Sequence, residues 1–221
     1  MPEVVLITGS RKGIGRHLVG HFLSKGCLVA GCSREAFDAP MPDGYRHYLA
    51  DVADERAVVE MVRDVQKRLG QLSILINNAG IASMNHLLLT PLSSIQRIFS
   101  TNVFGSFVVL REAAKAMAPA KYGRIVNFAT VATPLNLEGE SAYAASKAAV
   151  ESLTRVAARE LAPLNITVNA VGPTPVMTDL IRNVPKRKMD ALLGTQAIRR
   201  MGEHRDVTNV IDFFVSPASD F

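Results

Sequence analysis

The chain opens on an apolar run that passes directly into a glycine-rich turn. Val4-Val5-Leu6-Ile7 is the pattern of a strand buried on both faces, and the next residues, through Phe22, predict a helix. A strand, a glycine turn and a helix form the first unit of a dinucleotide-binding fold, where the backbone approaches the pyrophosphate and the helix amino end attracts its charge. The turn residues are candidate cofactor contacts: Gly9, Ser10, Arg11, Lys12, Gly13, Ile14 and Gly15. Their spacing, G-x-x-x-G-x-G, differs from the commoner G-x-G-x-x-G.

Apolar runs and amphipathic stretches then alternate along the chain. Strands are predicted at 27–32, 46–50, 73–76, 123–129 and 166–171, with helices at 54–69, 92–117 and 142–161, and a loop at 35–45. This alternation predicts an α/β fold, a Rossmann-like doubly wound parallel sheet with helices on both faces. With 221 residues, 48% of them hydrophobic, the whole chain 1–221 is predicted to be a single domain.

Composition argues against several classes of protein. No apolar run has membrane-spanning length and no leader precedes the first strand, so a cytoplasmic location without a membrane partner is expected. Cys27 and Cys32 are about 16 Å apart along a strand, too far for a disulfide. The net charge of +5 suits an anionic ligand, but the basic residues are scattered and no nucleic acid partner is expected. His17 and His21 share a helix face without an evident third ligand, so no metal site is predicted.

The residues after the second and third strands bear on the nucleotide. In such folds an acidic residue at the end of the second strand binds the ribose hydroxyls, and a basic one accommodates a 2′-phosphate. Ser33-Arg34 stands there, and Lys12 lies in the glycine turn, which favours NADP(H) over NAD(H); both cations are alternatively solvated surface charges. Asp51-Val52 follows the third strand, where Asp51 either faces the adenine or caps the next helix.

Polar residues also follow the central strands. Asn77-Asn78-Ala79-Gly80 suits a ligand lying against the backbone, or a plain turn. Asn102, inside a predicted helix, has a specific task or faces solvent. Thr130 follows the fifth strand and either meets a group across the site or bonds the local backbone.

Tyr143 and Lys147 are four residues apart in a predicted helix and therefore project from one face. An ammonium beside a phenol favours the phenolate, so the Tyr143 pKa is expected to fall from ~10 toward neutrality. Such a phenol exchanges protons at physiological pH, as a general acid or base must. The alternative is a chance spacing in an alanine-rich helix.

After the sixth strand, Pro173-Thr174 is followed by a stretch rich in basic residues. Residues 178–205 are predicted to be a mobile segment that covers the substrate, since a segment beside a cleft can act as a lid. Its charges are more simply explained as a solvated face.

Together, Thr8-Gly9-x-x-x-Gly13-x-Gly15, Asn77-Asn78-Ala79-Gly80, Asn102, Tyr143-x-x-x-Lys147 and Pro173 resemble the short-chain dehydrogenase/reductase family. The resemblance spans essentially the whole chain and is greatest to the 3-oxoacyl-carrier-protein reductases, enzymes of fatty acid biosynthesis. It implies that Tyr143 protonates the carbonyl oxygen while NADPH delivers hydride, that Lys147 lowers the Tyr143 pKa and binds the nicotinamide ribose, and that Asn102 holds a relay water. It also implies cofactor contacts from Asn78, Ala79, Gly80, Tyr143, Lys147, Pro173, Thr174, Val176 and Thr178.

Three positions depart from the family pattern. Thr130 replaces the catalytic serine, Thr174 replaces a glycine, and the chain stops at 216–221, where relatives continue into a seventh strand. The sequence is therefore expected to be incomplete or to lack this edge strand. A homodimer built by the long helices, or a homotetramer, is expected. Lys121 matches one carrier-protein docking position and Leu164 departs from the other.

The resulting hypothesis is an NADPH-dependent carbonyl reductase that acts on a small-molecule carbonyl substrate. A 3-oxoacyl thioester, carried by acyl-carrier protein or coenzyme A, is the leading candidate. The alternatives are an alcohol or polyol dehydrogenase and a dinucleotide-binding homologue with little turnover.

Overall fold

Six parallel strands form one sheet in the order β3-β2-β1-β4-β5-β6. The computed structural model describes residues 2–179, 181–182 and 184–220. The strands are β1 Val4–Thr8, β2 Leu28–Ser33, β3 Tyr45–Leu49, β4 Leu72–Asn77, β5 Gly123–Phe128 and β6 Ile166–Val171. The strand order reverses between β1 and β4, and the crevice beyond their carboxyl ends is where this class of sheet binds ligands.

Helices cover both faces of the sheet. They are α1 Gly13–Ser24, α2 Glu55–Leu69, α3 Leu92–Phe99, α4 Ser106–Met117, α5 Ala132–Leu135, α6 Ser141–Leu161, α7 Lys186–Thr195 and α8 His204–Val215. Short 3₁₀ turns lie at Leu87–Leu89, Ala118–Ala120 and Ala162–Leu164. None of the helices in the described part of the chain combines the length and apolar character needed to cross a membrane.

The core is divided in two by the sheet. Val4 and Leu6 of β1 pack toward α2, α4 and α6, whereas Val5 and Ile7 pack toward α1 and α8. Successive strand side chains point to opposite faces, so an all-apolar strand serves both layers. The predicted fold class is therefore confirmed, including the loop between β2 and β3.

Two local predictions need refinement. Residues 92–117 are helical throughout, but Ser100–Gly105 forms a π-helical segment between α3 and α4. Asp54, rather than Asp51, caps α2, because its side chain accepts hydrogen bonds from the amides of Arg56 and Ala57. The helices α5, α7 and α8 were not predicted.

Candidate active site

Three glycines shape the turn between β1 and α1. Gly9 and Gly13 adopt φ of +68° and +55°, a conformation that favours glycine. A Cβ added to Gly15 would collide with the Gly9 carbonyl oxygen. The end of β4 holds this turn in place, since Asn78 Nδ2 donates to the carbonyl oxygens of Thr8 (2.9 Å) and Gly9 (3.2 Å). Asn78 therefore has a structural task that links the two central strands.

A polar cavity of about 460 Å³ lies beyond this turn. Of the predicted cofactor contacts, it is lined by Gly9, Arg11, Lys12, Gly13, Ile14, Ser33, Arg34, Asp51, Val52, Asn78, Ala79, Gly80 and Thr178. Arg34 is exposed there and forms no ion pair within the described residues. Lys12 pairs with Asp179 at 3.3 Å. These residues thus share one concave surface, and their contact with a cofactor stays a prediction.

Glu35, which was not among the predicted site residues, also lines this cavity. Glu35 forms an ion pair with Arg11, and Asp38 lies 3.6 Å from the same guanidinium. The signal for Glu35 was its position directly after Arg34, two residues beyond the end of β2. In the free protein, Arg11 therefore already has carboxylate partners.

Ser10 does not face the cavity. Its hydroxyl lies 2.9 Å from the Tyr45 phenol, and its backbone amide donates to the Cys32 carbonyl oxygen at 3.1 Å. The Tyr45 phenol continues to His47 Nδ1 at 2.7 Å, and His47 Nε2 lies 2.9 Å from the Ser33 hydroxyl. Ser10 thus joins a buried polar chain behind the cavity wall, which corrects its prediction as a cofactor contact.

Asn102 is completely buried in the π-helical segment. Its Oδ1 accepts from the Ile81 amide (2.8 Å), and its Nδ2 donates to the Ile81 carbonyl (2.9 Å) and the Ser146 hydroxyl (3.0 Å). Ser146 in turn donates to the Tyr143 carbonyl at 2.7 Å. Both amide hydrogens are used, so the Asn102 side chain positions the segment after β4 against α6. Its predicted role in holding a water stays a prediction.

Lys147 is buried beside the end of β5. Its Nζ donates to the Phe128 carbonyl oxygen at 2.7 Å, and burial lowers its pKa from 10.5 to about 8. A Cβ built on Gly80 would lie 3.4 Å from both Lys147 Nζ and Asn102 Oδ1, so the glycine leaves space between them. The ammonium is held at the cavity wall by one strong hydrogen bond in a poorly solvated place.

The predicted direction of the Tyr143 pKa is wrong for the free protein. Burial raises the pKa of the phenol, the Thr130 hydroxyl acts to lower it, and the charge of Glu140 raises it again. Removal from water disfavours the phenolate, and here that effect exceeds the help from neighbouring groups. Tyr143 is therefore protonated at neutral pH.

A second cavity, of about 430 Å³, contains the predicted catalytic groups. Tyr143, Thr130 and Lys147 line it together with Pro173, Thr174 and Val176. Ile14, Asn78, Gly80 and Thr178 line both cavities, so the two meet at the glycine turn. The remaining wall is mainly apolar and includes Leu135, Leu137, Met189 and Leu192, the last two from α7.

Most of the predicted site therefore converges. Gly15 and Asn102 support the walls without lining either cavity, and Ser10 points away. Within the described part of the chain, no group of three or more His, Cys, Asp or Glu side chains could hold a metal ion.

Comparison with known proteins places this arrangement in a family. The family model for short chain dehydrogenases matches residues 3–189. The chain belongs to the short-chain dehydrogenase family. It is therefore an oxidoreductase.

Relatives of this short-chain dehydrogenase match it over nearly its full length. The 3-oxoacyl-[acyl-carrier-protein] reductase FabG of Pseudomonas aeruginosa is 30% identical over 99% of this chain and 92% of its own length. The solved structure of ElxO with NADP bound is 29% identical, with a TM-score of 0.92 over 100% of this chain and 94% of that one. The ligand-free aldohexose dehydrogenase of Thermoplasma acidophilum is 28% identical, with a TM-score of 0.91 over 100% and 89% of the two chains.

Proposed function

We propose that this short-chain dehydrogenase is an NADPH-dependent carbonyl reductase whose substrate is a 3-oxoacyl thioester. One observation carries the proposal. Tyr143, Thr130 and Lys147 line one cavity, which shares four wall residues with the polar cavity at the glycine turn. A carbonyl placed beside the phenol is thus also beside the place where a nicotinamide would enter.

The residues present fit NADP(H). Gly9 and Gly13 line the polar cavity at the amino end of α1, where backbone without side chains can approach a pyrophosphate. Arg34 and Lys12 supply positive charge at the polar cavity, where a 2′-phosphate would lie. The relative solved with NADP bound supports the same cofactor.

Three side chains of the protein would then act on the substrate and the cofactor. When bound, the reduced cofactor supplies the hydride. Tyr143, protonated at neutral pH because burial raises its pKa, donates its proton to the carbonyl oxygen. Thr130 keeps the hydroxyl of the serine that it replaces and orients the phenol and the carbonyl oxygen. Lys147, charged below a pKa of about 8, lines the same cavity, where it would bind the nicotinamide ribose.

The shape of the catalytic cavity supports an acyl substrate. Leu135, Leu137, Met189 and Leu192 surround the space next to Tyr143, and an aliphatic chain gains free energy by leaving water for such a wall. Residues 178–205, which contribute α7, are proposed to cover this substrate. The FabG relative supports the thioester assignment.

Two alternatives have specific support. An alcohol or polyol dehydrogenase is supported by the aldohexose dehydrogenase neighbour. A dinucleotide-binding homologue with little turnover is suggested by Thr130 and Thr174, which replace smaller residues of the family pattern and both line the cavity.

Replacing Tyr143 with Phe tests the proposal. Loss of a general acid lowers rates by about 10² to 10⁴, so NADPH oxidation on 3-oxoacyl thioesters should fall by that factor while NADPH binding is retained. A panel of 3-oxoacyl thioesters, quinones, simple ketones and aldohexoses (with NADP⁺ for the sugars) identifies the substrate class. If wild-type protein turns over none of the panel, or if the variant is as active as wild type, the reductase proposal is wrong.

We also propose that the protein self-associates through its long helices. Phe104, Phe107 and Val156 lie on the π-helical segment, α4 and α6, and are 62%, 48% and 51% exposed. Exposed apolar groups of this size on neighbouring helices favour a partner surface. Light scattering should give a dimer or tetramer, and Phe104→Asp should shift it toward monomer.

A further inference from the structure

The catalytic cavity contains a carboxyl group for which the proposed reaction has no use. Glu140 immediately precedes α6, three residues before Tyr143, and both side chains line the cavity. Its Oε2 is shielded from solvent and has no hydrogen-bond partner within the described residues. Since the large majority of buried side-chain polar atoms in proteins are paired, an unpaired carboxyl oxygen in this cavity calls for an explanation.

The neighbours of Glu140 do not provide that partner. Lys188 of α7 is the cation whose charge acts on Glu140, but its Nζ contacts Met84 Sδ at 3.6 Å. Lys188 acts to lower the Glu140 pKa, yet burial is the larger effect and raises it. Leu135 and Leu137 of the same cavity offer only apolar surface from their side chains. The carboxyl group is therefore left in an environment that penalises it.

A ligand can supply the missing donor. The terminal torsion of a glutamate side chain is broad, so a modest rotation would present an oxygen to the cavity. A site that pairs a buried polar group with its substrate also rejects analogues that lack the matching group, because the buried group then stays unpaired. The Glu140 carboxyl group is thus placed to discriminate between substrates that carry a hydrogen-bond donor and those that lack one.

We propose that Glu140 accepts a hydrogen bond from an N–H or O–H group of the substrate. It would select carbonyl compounds that carry such a donor at the distance that separates Glu140 from Tyr143 in the cavity, which both side chains line. This inference rests on the proposed reductase function. In a thioester of the pantetheine type, the first amide N–H beyond the sulfur is separated from the 3-oxo group by a chain long enough to span that distance.

Two substrates that differ in this donor test the inference. The N-acetylcysteamine thioester of 3-oxobutanoate carries the amide N–H, and the S-butyl thioester of the same acid lacks it. Glu140→Leu should lower kcat/KM for the first about tenfold or more, the usual effect of losing a hydrogen bond to a charged group, and change the second less than twofold. Glu140→Gln keeps an acceptor oxygen and should retain most of the activity on the N-acetylcysteamine thioester.

Controls separate this role from a structural one. Glu160→Leu changes an exposed glutamate of α6 and should leave kcat/KM for both thioesters unchanged. Thermal unfolding shows whether each variant is folded. Lys188→Met tests whether Glu140 instead positions α7 through the charge of Lys188. In that case Glu140→Leu and Lys188→Met would each lose the same activity on both thioesters.

Measuring thioester binding separates a failure of this inference from a failure of the proposed function. Both thioesters are titrated by calorimetry into protein saturated with NADP⁺, where no reduction occurs. If wild-type protein reduces neither thioester, the proposed function fails, and the ratio of the two dissociation constants still tests Glu140. The inference is overturned if wild-type protein does not prefer the N–H compound in binding, or if Glu140→Leu leaves that preference unchanged.

Discussion

Replacing Lys147 with Met should show that the burial of this ammonium group lowers the free energy of unfolding. The ammonium is fully buried, and burial lowers its pKa from 10.5 to about 8. At 1.36 kcal/mol per pKa unit, the folded state therefore loses about 3 kcal/mol at neutral pH by keeping this charge away from water. The Met variant has no such charge to bury.

The sign of the pH dependence follows from proton counts. Below the folded pKa of about 8, both states hold the proton and the destabilisation is fully present. Between that value and 10.5, the unfolded chain holds more protons than the folded chain, so the free energy of unfolding rises with pH. From pH 7 to pH 10, Lys147 should thus add about 2 to 3 kcal/mol to the wild-type stability and nothing to that of the variant.

Other groups do not obscure this difference. Cys32, Tyr45 and Tyr48 have pKa values raised to about 12 by burial, so they lower stability at high pH, but equally in both proteins. The variant also leaves the Phe128 carbonyl without its donor, which costs about 1 to 3 kcal/mol without any dependence on pH.

Urea denaturation from pH 7 to pH 10 measures the effect. The stability of Lys147→Met relative to wild type should fall by about 2 to 3 kcal/mol across that range. Lys67→Met, at an exposed position of α2, serves as the control and should show no such trend. A constant difference between Lys147→Met and wild type would refute the burial argument, and a rising one would reverse its sign.

Three further changes probe other parts of the site and fold. Gly15→Ala should abolish measurable NADPH binding in a fluorescence titration, because its Cβ would collide with the Gly9 carbonyl; Gly20→Ala in the same helix, where a Cβ meets nothing within 4 Å, should bind normally. Arg34→Ala should weaken NADPH about 10- to 100-fold and NADH less than twofold, and equal effects on both would contradict the phosphate assignment. Arg124→Met should lower the free energy of unfolding by about 2 to 4 kcal/mol in urea, since this buried guanidinium donates to three carbonyl groups at the end of α8 and in β5; an unchanged midpoint would disprove its role.

The order of elements was readable from the sequence because it depends on neighbours along the chain. The apolar run Val4–Ile7 predicts a strand buried on both faces, and the alternation of strands and helices predicts a parallel sheet. The site-forming turns could also be located, since parallel strands end at one edge of the sheet and bring Gly9, Asn78 and Thr130 together. The helical spacing of Tyr143 and Lys147 guaranteed a shared face.

The sequence could not reveal which polar side chains are buried or which partners they bond, because these contacts join residues far apart along the chain. Ser10 points into a polar chain with Tyr45 because β3 passes behind the glycine turn, a contact between residues 35 positions apart. From the sequence, Asn102 could have been a solvated helix residue. In the structure it is buried, and its side chain bonds the Ile81 amide and the Ser146 hydroxyl.

The sequence alone determined that a phenol and an ammonium share a helix face near a dinucleotide turn, because helix geometry is local. It did not determine their pKa values, since desolvation comes from elements such as β5, which meets α6 only in the folded chain. The tertiary structure therefore decided that Tyr143 is protonated at neutral pH, that Lys147 is destabilising, and that Glu140 lines the same cavity with no hydrogen-bond partner for its Oε2 among the described residues.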